Sequence, residues 1–125
     1  MKISEVMSKA VIADESISIR QAAKIMSDKN IGSLIITKDN NIKGILTERD
    51  ILKNLGKMSS KVNLVMSKNV ITINSEESID SAADLMAQNK IKRIPVIQDK
   101  KLVGIITVTD IIAHSKNLND YFMFN

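Results

Sequence analysis

Apolar and polar positions alternate with three different periods along the chain, and the three periods occur in the same order twice. A short β-branched run, residues 10–13 in the first half and 70–73 in the second, opens each series. Polar residues follow, and then Ile19, Ala22, Ala23 and Met26, spaced i, i+3, i+4, i+7, mark one face of a helix; Ile79, Ala82, Ala83 and Met86 repeat the spacing. Ser18 with Gln21 three positions on has the form of a capping box, which predicts a helix start near residue 18, and Ser78 holds the same place in the second half. Two short strands then flank a polar tetrapeptide: residues 33–37 and 42–46 around Lys38-Asp39-Asn40-Asn41, and residues 94–97 and 102–106 around Gln98-Asp99-Lys100-Lys101. These read as hairpins. After each hairpin a Thr-x-x-Asp opens a second helix, over residues 49–55 and 109–115. The order in each half is β-α-β-β-α.

The halves are copies. Val6-Met-Ser-Lys-Ala-Val-Ile12 returns as Val65-Met-Ser-Lys-Asn-Val-Ile71, and after a one-residue insertion Gly44-Ile-Leu-Thr47 with Asp50 returns as Gly104-Ile-Ile-Thr107 with Asp110. The expected organisation is one unit over residues 1–55, a polar linker over 56–64 containing Gly56, Ser59 and Ser60, a second unit over 65–115, and an apolar tail over 116–125. A unit of about 60 residues buries too little apolar surface to be comfortable alone, so the two are expected to pack by their sheets about a pseudo-twofold axis as an α/β protein.

Composition narrows the chemistry. With 125 residues the chain is one ordinary domain or two small ones, and 44% hydrophobic with 26% charged residues is the balance of a folded globular protein. One Tyr, two Phe and no Trp require an aliphatic core, and all three aromatics (Tyr121, Phe122, Phe124) fall in the last five positions. Cysteine is absent, which excludes disulfides, thiolate metal sites and a cysteine nucleophile. No apolar run reaches the roughly 18 residues of a membrane span and the first residues lack the apolar core of a signal peptide, so the expected location is the cytoplasm, with no membrane partner. The net charge of +4 is spread without a basic block and suits an anionic small molecule as well as it suits nucleic acid, but mid-chain aromatics for base stacking are missing, which argues against a nucleic-acid partner.

The sequence Val-Met, short strand, Ala-Ala-x-x-Met helix, strand, Gly-Ile-[Leu/Ile]-Thr-x-x-Asp, present twice over about residues 3–115, resembles a tandem pair of cystathionine β-synthase (CBS) domains. The resemblance implies a nonenzymatic regulatory module that reversibly binds an adenine nucleotide (AMP, ADP or ATP), or alternatively S-adenosylmethionine, in clefts between the copies, without a cofactor or metal. It further implies a homodimer and an effector protein as recipient of the signal.

Several residues carry the implied site. Thr47 and Thr107 stand where a strand gives way to a helix, beside free backbone N–H groups suited to a phosphate or ribose oxygen, and Asp50 and Asp110 lie three residues on. A carboxylate repels phosphate but matches two adjacent ribose hydroxyls, which is the role the resemblance gives these aspartates. The plainer reading is a local helix cap made by the same Thr and Asp. The resemblance assigns phosphate contacts to Lys92 and Arg93, where the first copy has Gly32 and Ser33; Arg49, whose place Thr109 takes in the second copy, is the candidate substitute charge. It assigns the adenine edge to the backbone near Ile12 and Ala13 and near Ile71 and Thr72, with Pro95 alongside; ordinary sheet core is the alternative for these. Pro95, the single proline, is expected at a strand start or edge because it lacks a ladder donor. Met7, Met26, Met66 and Met86 read as core packing and His114 as a solvated helix end. The Tyr121–Phe124 segment is apolar enough to call for a docking surface on its own module, a dimer mate or a partner. A nucleotide-processing enzyme would need a carboxylate cluster or a general base that the two separated aspartates do not supply.

Overall fold

Each helix begins where its capping chemistry puts it. In the computed structural model, which describes residues 1–114, the Ser18 hydroxyl accepts from Gln21 N–H (3.1 Å) while the Gln21 side chain accepts from Ser18 N–H (2.9 Å), and α1 runs over Ile19–Lys29. Its apolar face, Ile19, Ala22 and Met26, is buried against β2 (Ser33–Lys38), β3 (Asn41–Thr47) and β1 (Ile12–Asp14). β2 is the middle strand, parallel to β1 and antiparallel to β3, and α2 (Glu48–Leu52) follows directly. The same elements recur as β4 (Ile73–Asn74), α3 (Ile79–Asn89), β5 (Arg93–Gln98), β6 (Lys101–Thr107) and α4 (Val108–Ala113), with β5 in the middle. Both hairpins turn on two residues with positive φ, Asp39-Asn40 (51°, 65°) and Asp99-Lys100 (51°, 65°), the geometry that matches strand twist. No helix among the described residues is long and apolar enough to cross a membrane.

The repeats in the sequence and the compact units in space do not share boundaries. One unit is contiguous, Val11–Val70; the other is split, Met1–Ala10 together with the chain from Ile71 onward. In the split unit Ile3 and Val6 are buried in the core built by Ile73, Ala82, Met86, Ile94, Val96 and Ile106. Ser8 pairs with Ile105 through both backbone hydrogen bonds (2.9 Å each). In the contiguous unit Val62 and Met66 take the places of Ile3 and Met7, and Ser67 pairs with Ile45 in the same way. Each Val-Met-Ser segment thus covers the sheet of the other repeat. The repeats at 1–55 and 65–115 thus contribute to both compact units, and the stretch 56–64 between them is itself structured: Val62 is fully buried and Val62–Leu64 forms a 3₁₀ turn.

The exchange explains two close approaches. A Cβ at Gly104 would lie 2.7 Å from Met7 Sδ and 2.9 Å from the Ser8 carbonyl oxygen, and one at Gly44 would meet Met66 Sδ at 2.6 Å and the Ser67 oxygen at 2.8 Å. Glycine at both positions lets the crossing segment lie flat on the hairpin.

Three smaller expectations also change. The second helix of each unit is shorter than expected: α2 stops at Leu52, and Leu55–Lys57 is a separate 3₁₀ turn. The one-residue insertion falls before the strand of the second repeat, since Ile12 pairs with Ile35 whereas Ile73 pairs with Val96; Thr72 and Ile73, rather than Ile71 and Thr72, are the counterparts of Ile12 and Ala13. Pro95 is neither at a strand start nor in an edge strand but third in the central β5, fully buried. The structure accommodates it by shortening the neighbour. Ile35 N–H donates to Val11 oxygen (3.1 Å), the bond Pro95 cannot make, and β4 begins only at Ile73, beyond the missing donor. The tail, residues 116–125, lies outside the described residues.

Candidate functional site

The strand-to-helix junctions gather most of the candidate side chains, one set in each unit. β2 and β3 set Ser33 opposite Thr47, and β5 and β6 set Arg93 opposite Thr107. The backbone locks the neighbours in place: Glu48 N–H donates to Gly32 oxygen (3.1 Å) and Val108 N–H to Lys92 oxygen (2.9 Å). In the split unit Lys92, Arg93, Thr107, Thr109 and Asp110 therefore share one end of the sheet. Lys92 is exposed, Arg93 half-buried, and neither joins an ion pair among the described residues. In the contiguous unit Arg49 is the cation at that end, exposed beside Glu48.

Both threonines make the helix cap that the plainer reading expected. Thr107 Oγ1 accepts from Asp110 N–H (3.1 Å) and donates to Asp110 Oδ2 (2.9 Å), which also receives Thr107 N–H (2.9 Å). Thr47 and Asp50 repeat this at 3.3, 3.1 and 2.9 Å. Two donors occupy Oδ2 of each carboxylate and fix the side chain, while the other oxygen, Oδ1, takes no part in the cap. Here the two units differ. Ser8 Oγ donates to Asp110 Oδ1 at 2.8 Å, and Asp50 Oδ1 has no hydrogen-bond partner among the described residues, although Ser67 occupies the place of Ser8. Sequence reasoning passed over Ser8; its one signal was its recurrence in the Val-Met-Ser repeat.

The adenine-edge candidates do not share one environment. Ile12 is 54% exposed on β1, an edge strand, whereas Ala13 packs against the core of its unit. Ile71 packs against the core of the split unit, Thr72 is half-buried ahead of β4, and Pro95 is fully buried. His114 is exposed at the end of α4, its Nδ1 2.9 Å from the Asp110 carbonyl oxygen. Among the described residues no group of three or more His, Asp or Glu side chains is placed to hold a metal ion. A groove of about 390 Å³ lies along α1 and α2, lined by Met26, Ile31, Ile51 and Leu52 with Glu48 at its polar side.

The geometry has close counterparts. The family model described as CBS domain matches residues 3–57 and 61–117. The CBS domain-containing protein YhcV of Bacillus subtilis is 33% identical over 101 residues, covering 78% of this chain and 72% of that one. The L-aspartate semialdehyde sulfurtransferase of Methanocaldococcus jannaschii is 37% identical over 112 residues, 87% of this chain but 22% of the enzyme. A homoserine O-acetyltransferase of Methanohalobium evestigatum matches over 20% of its length. The chain thus spans about a fifth of these two larger relatives. Among solved structures, the CBS domain pair of protein MJ0100, in complex with 5′-methylthioadenosine and S-adenosyl-L-methionine, superposes with a TM-score of 0.84 at 34% identity, covering 90% of this chain and 98% of that one. A hexameric CBS-CP12 protein from bloom-forming cyanobacteria superposes with a TM-score of 0.84 at 32% identity over 95% of this chain and 74% of that one. With both halves matched by the family model and the whole pair matched in space, this chain belongs to the CBS family as a tandem pair of CBS domains.

Proposed function

We propose that this CBS pair is a regulatory module that reversibly binds an adenosine-bearing small molecule and passes its occupancy to an effector protein. The observation that carries the reading is the 34% identical CBS pair of MJ0100, described in complex with methylthioadenosine and S-adenosylmethionine. Adenosine is common to these two and to AMP, ADP and ATP, and its ribose diol is the part for which the Asp50 and Asp110 carboxylates are suited. Lys92 and Arg93 favour the phosphate-bearing members of the set, because two cations with no carboxylate partner among the described residues sit at the end of β5. Signal size follows from linkage: the ligand shifts the module toward whichever arrangement it binds better, by the ratio of the two affinities. Self-association into a homodimer is part of the proposal, and the exposed Leu52 and Leu55 around α2 support it.

Thermal unfolding at constant ionic strength, with methylthioadenosine, S-adenosylmethionine, AMP and ATP in turn, tests the reading. A ligand at about 100 times its dissociation constant stabilises the native state by about 2.7 kcal/mol, a rise of several degrees in Tm. No rise with any of the four would overturn it.

A further inference from the structure

The two aspartates are chemically alike, capped alike and placed alike, yet one oxygen of Asp110 is occupied and the matching oxygen of Asp50 is open. We infer that Ser8 is a positioning residue that holds Asp110 in a closed state: with the Ser8 hydroxyl on Oδ1 a single acceptor site is left there, so that a vicinal diol donates both its hydroxyls to Asp110 only by displacing Ser8. The inference rests on the proposed adenosine reading and adds to it a switch at one of the two carboxylates.

The argument is one of acceptor capacity. A carboxylate holds a vicinal diol best with both oxygens, one hydroxyl to each or both to the less occupied one. Oδ2 of Asp110 already receives the Thr107 N–H and hydroxyl (2.9 Å each), so incoming donors must use Oδ1. There the Ser8 hydroxyl already donates at 2.8 Å. Ser8 cannot drift away as a whole, because its backbone is tied to Ile105 on both sides, Met7 lies on Gly104, and Val6 is buried. Release is therefore a rotation of the side chain about χ1, with the backbone left in place. Because Ser8 belongs to the first ten residues and Asp110 to the second repeat, the bond joins positions 102 residues apart and makes the state of Asp110 depend on the seating of the N-terminal segment. Ser67 keeps the backbone pairing with Ile45 but makes no bond to Asp50, which leaves the contiguous unit without this restraint.

Two measurements test the inference separately from the reading it rests on. In a double-mutant cycle by urea unfolding, Ser8→Ala and Asp110→Asn should be coupled by about two- to tenfold in the folding equilibrium constant, and Ser67→Ala with Asp50→Asn should not be. Zero coupling between Ser8 and Asp110 would overturn the latch whatever the ligand. In calorimetry with AMP, Ser8→Ala should tighten binding about three- to tenfold, Ser8→Thr should restore the parent value, and Ser67→Ala should have no effect. With 2′-deoxy-AMP, which lacks one hydroxyl of the diol, the gain from Ser8→Ala should shrink. Equal AMP affinity in Ser8→Ala and parent, with Asp110→Ala weakened, would retain Asp110 in the site and remove Ser8 as its gate. Binding of neither AMP nor S-adenosylmethionine to parent or variant would overturn the ligand reading and the switch with it, while the unfolding cycle would still report the bond.

Discussion

The contiguous and split units are built on one plan from matched residues, and they diverge where backbone pairing and exposed polar contacts are concerned. Both cores have a helix face over a three-stranded sheet, sealed by a Val-Met-Ser segment that sequence similarity would assign to the other repeat. β1 has three residues where β4 has two, Ser33 stands where the split unit has Arg93, and Asp50 has an open oxygen where Asp110 has a serine partner. Aliphatic volume is conserved between the copies because either core fails without it, whereas polar contacts on the surface are free to differ and are where two copies of one fold can acquire different tasks.

The largest expected effect tests the exchange of segments. Ile3→Ala should destabilise by about 2–5 kcal/mol, as deletion of a fully buried side chain does. Val62→Ala, its counterpart in the contiguous unit, should cost about 1 kcal/mol less, having one methylene fewer to lose. A silent Ile3→Ala in urea unfolding would mean that the segment does not cover the split unit in solution, and the comparison would break there.

Next comes the strand difference. Ile35→Pro should copy the split unit into the contiguous one by deleting the 3.1 Å bond to Val11, at about 1–3 kcal/mol. Amide exchange should then show the Val11–Ile12 end of β1 loosened, as β4 begins only at Ile73; unchanged protection there would separate Pro95 from the length of β4.

The hairpins allow a gain. Lys100 adopts φ 65° where the contiguous unit has Asn40, a residue that tolerates this region better. Lys100→Asn should therefore raise stability by about 0.5 kcal/mol, read as an increase in Tm, and a loss would mean that the lysine contributes something the turn geometry does not reveal.

The smallest effect is a pH dependence confined to one unit. Asp14 accepts from Ser16 N–H (2.9 Å), and hydrogen bonding from Ser16 holds its carboxyl below the usual 3.8, assisted by Lys38. Asn74 makes the same turn to Glu76 N–H (2.9 Å) without a titrating group. A depressed carboxyl stabilises fully above its unfolded value and loses that contribution as pH falls through its folded value. The stability gap between the parent and Asp14→Asn should consequently shrink as pH falls from neutral to below the usual 3.8. A gap that stays constant would assign the effect of the substitution to something other than ionisation.

The elements of the fold were legible because each rests on local chemistry: Ser18 and Gln21 announce a helix start, Ile19 to Met26 its buried face, and Asp39-Asn40 a turn. The exchange of the Val-Met-Ser segments was not, because the two segments are nearly identical and a repeat states which pieces are alike without stating which sheet each one covers. The true position of the insertion was hidden for a related reason. Val70-Ile71 matches Val11-Ile12 by identity, but strand pairing puts Ile71-Thr72 there, and the extra residue falls where the chain passes from one unit to the other. At the candidate site, Thr47, Asp50, Thr107 and Asp110 were readable as cap and site alike, since both uses need the same residue types. The Ser8–Asp110 bond was not readable, being an exposed pair 102 residues apart with no period to reveal it.

The crossing of the N-terminal segment also sets an order of events during synthesis. Residues 1–10 leave the ribosome long before residues 71–114, but the sheet that buries Ile3 and Val6 includes Ile106, so their place does not exist until nearly all of the described residues have been made. The contiguous unit closes on itself once Val70 is available, over short loops that form quickly. Residues 1–10 are thus seated after the contiguous unit that follows them, and a nascent chain exposes the Ile3-to-Met7 segment until the second repeat arrives.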